Sequence, residues 1–154
     1  MTKKGSGVND FADLKGKNVV VTAGTTSERL LRKYNEQSQA GMSIISAKDH
    51  GESFLTLETG RAVAFMMDDA LLYGEKAKAK KPDDWVVVGK PMSEEAYGCM
   101  MRKGDPAFKK IVDTAIAKAM TSGEAAKIYA KWFQQPIPPK GLNLNWPMSD
   151  DVEA

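Results

Sequence analysis

Cysteine and histidine are almost missing from this 154-residue chain: each occurs once, as Cys99 and His50. A single cysteine excludes an intrachain disulfide and leaves the redox compartment open. Inside "AYGCMMRK" it reads as a small buried hydrophobe, with a reactive thiol as the other reading. A single histidine with two aspartates gives no metal-ligand spacing. No stretch reaches the ~18 apolar residues of a membrane span. The opening "MTKKGSGVND" carries two lysines but no apolar signal core, so the chain as written is expected to stay in the cytoplasm. The charges nearly cancel, at a formal net +2, which gives no reason to expect a nucleic-acid partner. No repeat of solenoid period is present, and no cofactor is expected. What is there, 42% hydrophobic and 27% charged residues, is a globular composition sufficient for one domain or slightly more.

The first half alternates strand and helix signals. "NVVVT" (18–22) is a β-branched run. Ser27 to Tyr34 carries Leu30, Leu31 and Tyr34 at helical spacing. "SIIS" (43–46) predicts a short strand, and residues 51–59 predict a short helix ended by Gly60. "AVAFMM" (62–67) predicts a strand buried on both faces. Asp69 to Lys80 predicts a helix, and "DWVVVG" (84–89) another strand. Strands separated by helices imply βαβ units and a mainly parallel α/β sheet flanked by helices.

The second half differs. "EAYGCMMRK" (95–103) predicts one more strand, after which Pro106 opens a long amphipathic helix. Its stripe is Phe108, Ile111, Val112, Ala115, Ile116 and Ala119. "TSGE" (121–124) has capping-box spacing for a second helix bearing Ile128, Tyr129, Trp132 and Phe133. The proline-rich tail predicts an extended arm, ordered only where it packs.

Three places could carry chemistry. In "GTTSE", Thr25 and Glu28 have capping-box spacing, which makes Thr25 the N-cap and puts Thr26 and Ser27 in the first helical turn. A carboxylate or phosphate could be held there by backbone N–H groups and a threonine hydroxyl; a plain cap facing water is the other reading. The loop is no Walker motif, because Gly24 lacks the second glycine and the lysine at the required offset. In "SAKDHGESF", His50 lies in a loop after a strand, where Asp49 or Ser46 could cap the next helix. Such a histidine could donate to an anion, move a proton or ligate metal, or simply face solvent. In "AFMMDDALL", one of Asp68 and Asp69 caps a helix and the other stays at the sheet edge, fit for an ammonium group or a metal. A receiver-type phosphoacceptor is excluded, since "VTAGT" supplies no acid. Thr26, His50 and Asp68 each follow a different strand, so the fold rule gathers them on one rim. The lysine-rich "EKAKAKKPDD" (75–84) reads as a solvated helix end.

The segments "DLKGKNVVVTAGTTSE", "GRAVAFMMDDALL" and "AYGCMMRKGDPAFKKIVDTAIAKAMTSGEAAKIYAKWF", in this order, resemble the solute-binding proteins of polar amino-acid ABC transporters. "SAKDHGESF" with "PIPPKGLNLN" is similar to the glutamate/aspartate-binding branch. The resemblance runs from about Asp10 to Trp146 and implies the second lobe of a type II periplasmic binding protein. Residues 1–9 would be a hinge remnant and 10–94 the second ligand-binding lobe. Residues 95–103 would be the return hinge strand, and 104–154 the helices and arm that pack on a first lobe not represented here. It implies that Thr26, beside Thr25 and Ser27, binds the ligand's side-chain carboxylate, that His50 donates to an acidic ligand group, and that Asp68 receives the α-ammonium. The arginine clamp for the α-carboxylate would belong to the first lobe.

Several expectations follow from the resemblance. The complete protein would be periplasmic, would bind glutamate or aspartate and would serve the membrane subunits of an importer without doing chemistry. This truncated chain alone would bind weakly. Its uncovered apolar helices would drive self-association, through exchange of those helices between two chains. Two alternatives stand beside this reading: a small metal-dependent or acid–base hydrolase using His50, Asp68 and Asp69, and a functionally inert fragment.

Overall fold

A computed structural model describes residues 1–148. The chain divides into two compact units, the first Met1–Ser93 and the second from Glu94 onward.

In the first unit the valine run makes the central strand. Branched β-carbons are stiff and pack well on a pleated surface. β1 is Thr2–Lys3 and β2 is Asn18–Thr22. β3 is Ser43–Ala47, β4 is Ala64–Met66 and β5 is Trp85–Val86. They form one sheet in the order β3-β2-β4-β1-β5. β2 pairs parallel with β3 and β4, whereas β1 runs antiparallel between β4 and β5. The sheet is therefore parallel where the valines lie and antiparallel at the far edge.

Both faces of β2 are covered. Val20 packs with Phe54, Leu57, Phe65 and Trp85 on one face, while Val19 and Val21 pack with Leu31 and Met42 on the other. All three valines are at 0% exposure. A strand with helices on both sides reads as a continuous apolar run rather than an alternating one. Each buried side chain of this size stabilises the fold by about 1.5–3 kcal/mol.

The helices of this unit start where their caps say. α1 is Thr26–Gln37, capped by Thr25, whose hydroxyl accepts from the Glu28 N–H. α2 is His50–Glu58, capped by Asp49, whose carboxylate accepts from the Glu52 N–H at 2.8 Å; Glu52 in turn accepts from the Lys48 N–H. α3 is Asp69–Lys78. It ends in Lys76 and Lys78, with Lys78 paired to Glu75 on the surface, so the basic segment is a solvated helix end. The buried Met1 ammonium donates to the Phe65 carbonyl at 2.7 Å, and burial pushes its pKa down to about 5.

The second unit begins with α4, Pro106–Thr121, capped by Asp105, whose carboxylate accepts from the Phe108 N–H at 3.0 Å. α5 is Glu124–Phe133. The Tyr129 and Phe133 rings stack at 4.4 Å, and Trp146 returns to lie edge-on to Phe133 at 5.5 Å. None of the described residues of this unit is buried. No helix among the described residues is long and apolar enough to cross a membrane.

Five expectations need correction. Residues 95–103 are not a strand: a strand exists only with a pairing partner, and no ladder is assigned over them. Cys99 in that segment is exposed, not buried, as are Tyr97 and Met100 beside it. The run 84–89 shrinks to Trp85–Val86, the two residues that pair with β1. "TSGE" forms no capping box: Ser122 closes α4, and Gly123 at φ +75° turns the chain into α5 without a side-chain cap. The tail is not wholly extended. Pro136–Ile137 (β6) pairs antiparallel with Leu142–Asn143 (β7), and the Asn143 amide donates to the Gln134 carbonyl.

Candidate functional site

Thr26, His50 and Asp68 follow the carboxyl ends of β2, β3 and β4, three adjacent parallel strands. Open α/β sheets bind ligands at this edge. Two side-chain bridges tie the three loops together. The Ser27 hydroxyl donates to the Asp68 carboxylate at 3.2 Å, joining the start of α1 to the start of α3. Thr22, the last residue of β2, meets His50 Nδ1 at 2.7 Å, joining β2 to α2.

The start of α1 is built by local rules. Gly24, at φ +75°, makes the sharp turn out of β2. Its N–H donates to Glu28 at 2.8 Å, and the Thr25 hydroxyl donates to the Thr22 carbonyl at 2.8 Å. The reciprocal half of the expected capping box thus lands on Gly24 rather than on Thr25. Glu28 also accepts from Arg32 at 2.8 Å and from the Ser46 hydroxyl of β3. Those donors, with Ser46 first, hold its carboxyl down to about 2, against an ordinary 4.5. Glu28 is thus an anion committed to the protein itself. An open groove beside it is lined by Gly24, Thr25, Thr26, Glu28, Arg29 and Arg32. Two arginines and a helix N-terminus along one groove favour a negatively charged guest.

His50 is the first residue of α2 rather than a loop residue, because Asp49 supplies the cap one position earlier. Asp68 occupies the N-cap position of α3 without a side-chain cap bond there. Asp69 uses its own carboxylate on the Ala70 N–H at 2.9 Å. Ser27 is 4% exposed, and its hydroxyl is directed at Asp68, so in this geometry it orients that carboxylate. Among the described residues no three His, Cys, Asp or Glu side chains come together as a metal set.

Sequence reasoning missed Thr22, Ser53 and Arg32, and took Ser46 only as a possible cap of α2, a place that Asp49 fills while Ser46 donates to Glu28. Ser53 lies three residues after His50, on the same helical face, and that spacing was a readable signal. The contact of Thr22 with His50 depends on strand register and had none.

Comparison with known proteins gives the family and the fold. The family described as bacterial extracellular solute-binding proteins, family 3, matches residues 4–135. The L-glutamate/L-aspartate-binding protein of Pseudomonas aeruginosa is 71% identical over 153 residues, which is 99% of this chain and 51% of that protein. The glutamate/aspartate import solute-binding protein of Escherichia coli K12 is 66% identical over 154 residues, 100% of this chain and 51% of that protein. The chain therefore spans about half the length of the curated relatives it matches. Among solved structures, an ancestral arginine-binding protein bound to arginine superposes with a TM-score of 0.73 at 32% identity, covering 86% of this chain and 57% of that one. The fold is that of a type II periplasmic binding protein, and the chain belongs to the bacterial extracellular solute-binding proteins, family 3.

Proposed function

We propose that this chain supplies one side of a binding site for an acidic amino acid, glutamate or aspartate, and does no chemistry. The observation that carries the proposal is the gathering of Thr26, His50 and Asp68 at the ends of three adjacent parallel strands. The names of the relatives agree with it. The start of α1, with Thr25 and Thr26, receives the side-chain carboxylate of the ligand. His50 makes a second contact to an acidic group, and Asp68, oriented by Ser27, receives the ammonium group. The complete protein would work in the periplasm and hand its ligand to the membrane subunits of an ABC importer.

In this reading residues 1–9 and 95–103 are the two hinge crossings, 10–94 is the second lobe, and the described part of 104–154 packs on a first lobe; residues 149–154 of that segment lie outside the described residues. The opposing wall and its arginine clamp lie in that first lobe, and a bidentate arginine–carboxylate pair is among the stronger polar contacts. The chain alone therefore binds weakly. Its α4 and α5 faces, left uncovered, drive self-association. The hydrolase alternative gains no supporting observation, since Asp69 is committed to its own helix.

Equilibrium dialysis with labelled glutamate tests the site. Saturable binding in the millimolar range is expected, weakened at least ~10-fold in Asp68→Asn, as loss of a charge-assisted hydrogen bond requires. Micromolar affinity would contradict the half-site reading, and an unchanged Asp68→Asn variant would contradict the role of Asp68.

A further inference from the structure

Thr22 and Ser53 have no ligand role above, yet both are buried and both belong to a chain of hydrogen bonds that ends on His50. Ser53 Oγ lies 3.0 Å from the Asp49 carbonyl oxygen. A carbonyl only accepts, so Ser53 donates its single proton there. Thr22 Oγ1 lies 2.9 Å from Ser53 Oγ, so in that pair Thr22 must donate. With its own proton committed, Thr22 Oγ1 must accept across the 2.7 Å contact to His50 Nδ1. Nδ1 therefore carries a hydrogen. Ser53 is 0% exposed and Thr22 5%, so no water competes for the direction of the chain. His50 Nε2 makes no hydrogen bond among the described residues.

The geometry points to Thr22 and Ser53 as positioning residues that keep the hydrogen of His50 on Nδ1 whenever its ring is neutral, which leaves Nε2 as the acceptor. This deepens the acidic-ligand reading and rests on it. A carboxylate has only lone pairs to offer, so it can be received at Nε2 only after Nε2 has gained a proton. From the neutral ring, capture of a ligand carboxylate at Nε2 takes up one proton from solvent: imidazole becomes imidazolium, an N–H bond forms, and no other bond changes. An amide or hydroxyl on a ligand would donate to neutral His50 without that uptake. The protonation state of one ring nitrogen then separates an acid from its amide.

The ionisable groups on the surrounding elements are Lys48, Asp49 and Glu52 at the start of α2, Glu28 and Arg29 on α1, and Asp68 and Asp69 at the start of α3. Asp49, Glu52 and Asp69 accept from backbone N–H groups, Asp68 accepts from Ser27, and Glu28 accepts from Arg32.

The test uses the ligand-free chain, labelled with ¹⁵N at its single histidine, in long-range ¹H–¹⁵N spectra recorded with the ring neutral. The expected result is a hydrogen on Nδ1 and a bare Nε2. A solvated neutral histidine side chain favours the opposite tautomer, Nε2–H. In Thr22→Val the major form should move to Nε2–H. In Ser53→Ala it should move the same way, because Thr22 is then free to donate to Nδ1. An Nε2–H ring in the parent chain, or an unchanged tautomer in both variants, would overturn the proposal. The spectra contain no ligand, so they stand apart from glutamate binding. An Nδ1–H ring in a chain that ignores glutamate would support the relay and remove the ligand assignment.

Discussion

In the first unit Phe65 is 1% exposed and Leu31, Val19, Val20 and Val21 are at 0%, whereas in the second Phe108 is 51% exposed, Ile111 66% and Met100 101%. Both units are written in the same amphipathic code. Leu31 and Tyr34 of α1 repeat at helical spacing, and so do Phe108, Ile111 and Val112 of α4. The difference is the presence of a layer to receive the stripe. In the first unit the sheet takes helices on both faces, and every apolar position of β2 meets a partner. In the second, α4 and α5 carry stripes that nothing among the described residues of that unit covers. Periodicity shows which face of a helix wants burial, while the burial itself depends on a second surface. The first unit should therefore hold nearly all of the folding stability, and the second should act as a surface in search of cover.

The largest expected effect tests that contrast directly. Phe65→Ala should cost about 3–5 kcal/mol, as truncation of a fully packed aromatic does, while Phe108→Ala should stay within about 0.5 kcal/mol. Urea unfolding followed through the buried Trp85 would measure both. A comparable loss from Phe108→Ala would break the comparison, because that side chain would then be packed in solution. Next in size is association. Ile111→Glu and Ile128→Glu should each weaken self-association at least ~10-fold by placing a charge on the apolar face. Sedimentation would show dimer giving way to monomer, and a parent chain that stays monomeric at high concentration would remove the idea of a cover-seeking face.

The smallest effect concerns pH and belongs to the first unit. Glu28 is held down to about 2 by Ser46, Arg32 and the Gly24 N–H, against an ordinary 4.5. A carboxyl depressed on folding contributes stability above its unfolded value, and that contribution is lost as pH falls through the folded one. The parent should thus exceed Glu28→Gln in stability near neutrality, and the two should converge as pH approaches 2. The gap should be small because solvent screens the pair. The Met1 ammonium acts in a higher window. Its pKa falls on folding from 8.0 to about 5, so the unfolded chain binds more protons between those values and stability rises with pH across them. Acid and neutral denaturation series on both proteins would resolve the two windows.

Local chemistry explains which parts could be read in advance. β2, α1 and α2 were legible because a β-branched run and the caps Thr25 and Asp49 act within a few residues of themselves. The rim was legible because strand ends in a parallel sheet fall on one edge. The length of β5 was not, since Val87 and Val88 continue the β-branched pattern while the ladder with β1 takes in only Trp85 and Val86. Cys99 reads as buried because its neighbours are apolar, but it is exposed, and among the described residues its segment pairs with no strand. Ser27, Thr22 and Ser53 are ordinary hydroxyls in the sequence. The Ser27–Asp68 and Thr22–His50 contacts arise only when strand register sets the loops side by side, and Ser53 reaches His50 only through Thr22.

The most direct test of the central claim is an amide-shift titration of the isotope-labelled chain with glutamate and aspartate up to tens of millimolar. Saturating shifts confined to the loops that carry Thr26, His50 and Asp68 are the predicted result. No shift at those loops, or shifts spread over α4 and α5 instead, would contradict the account.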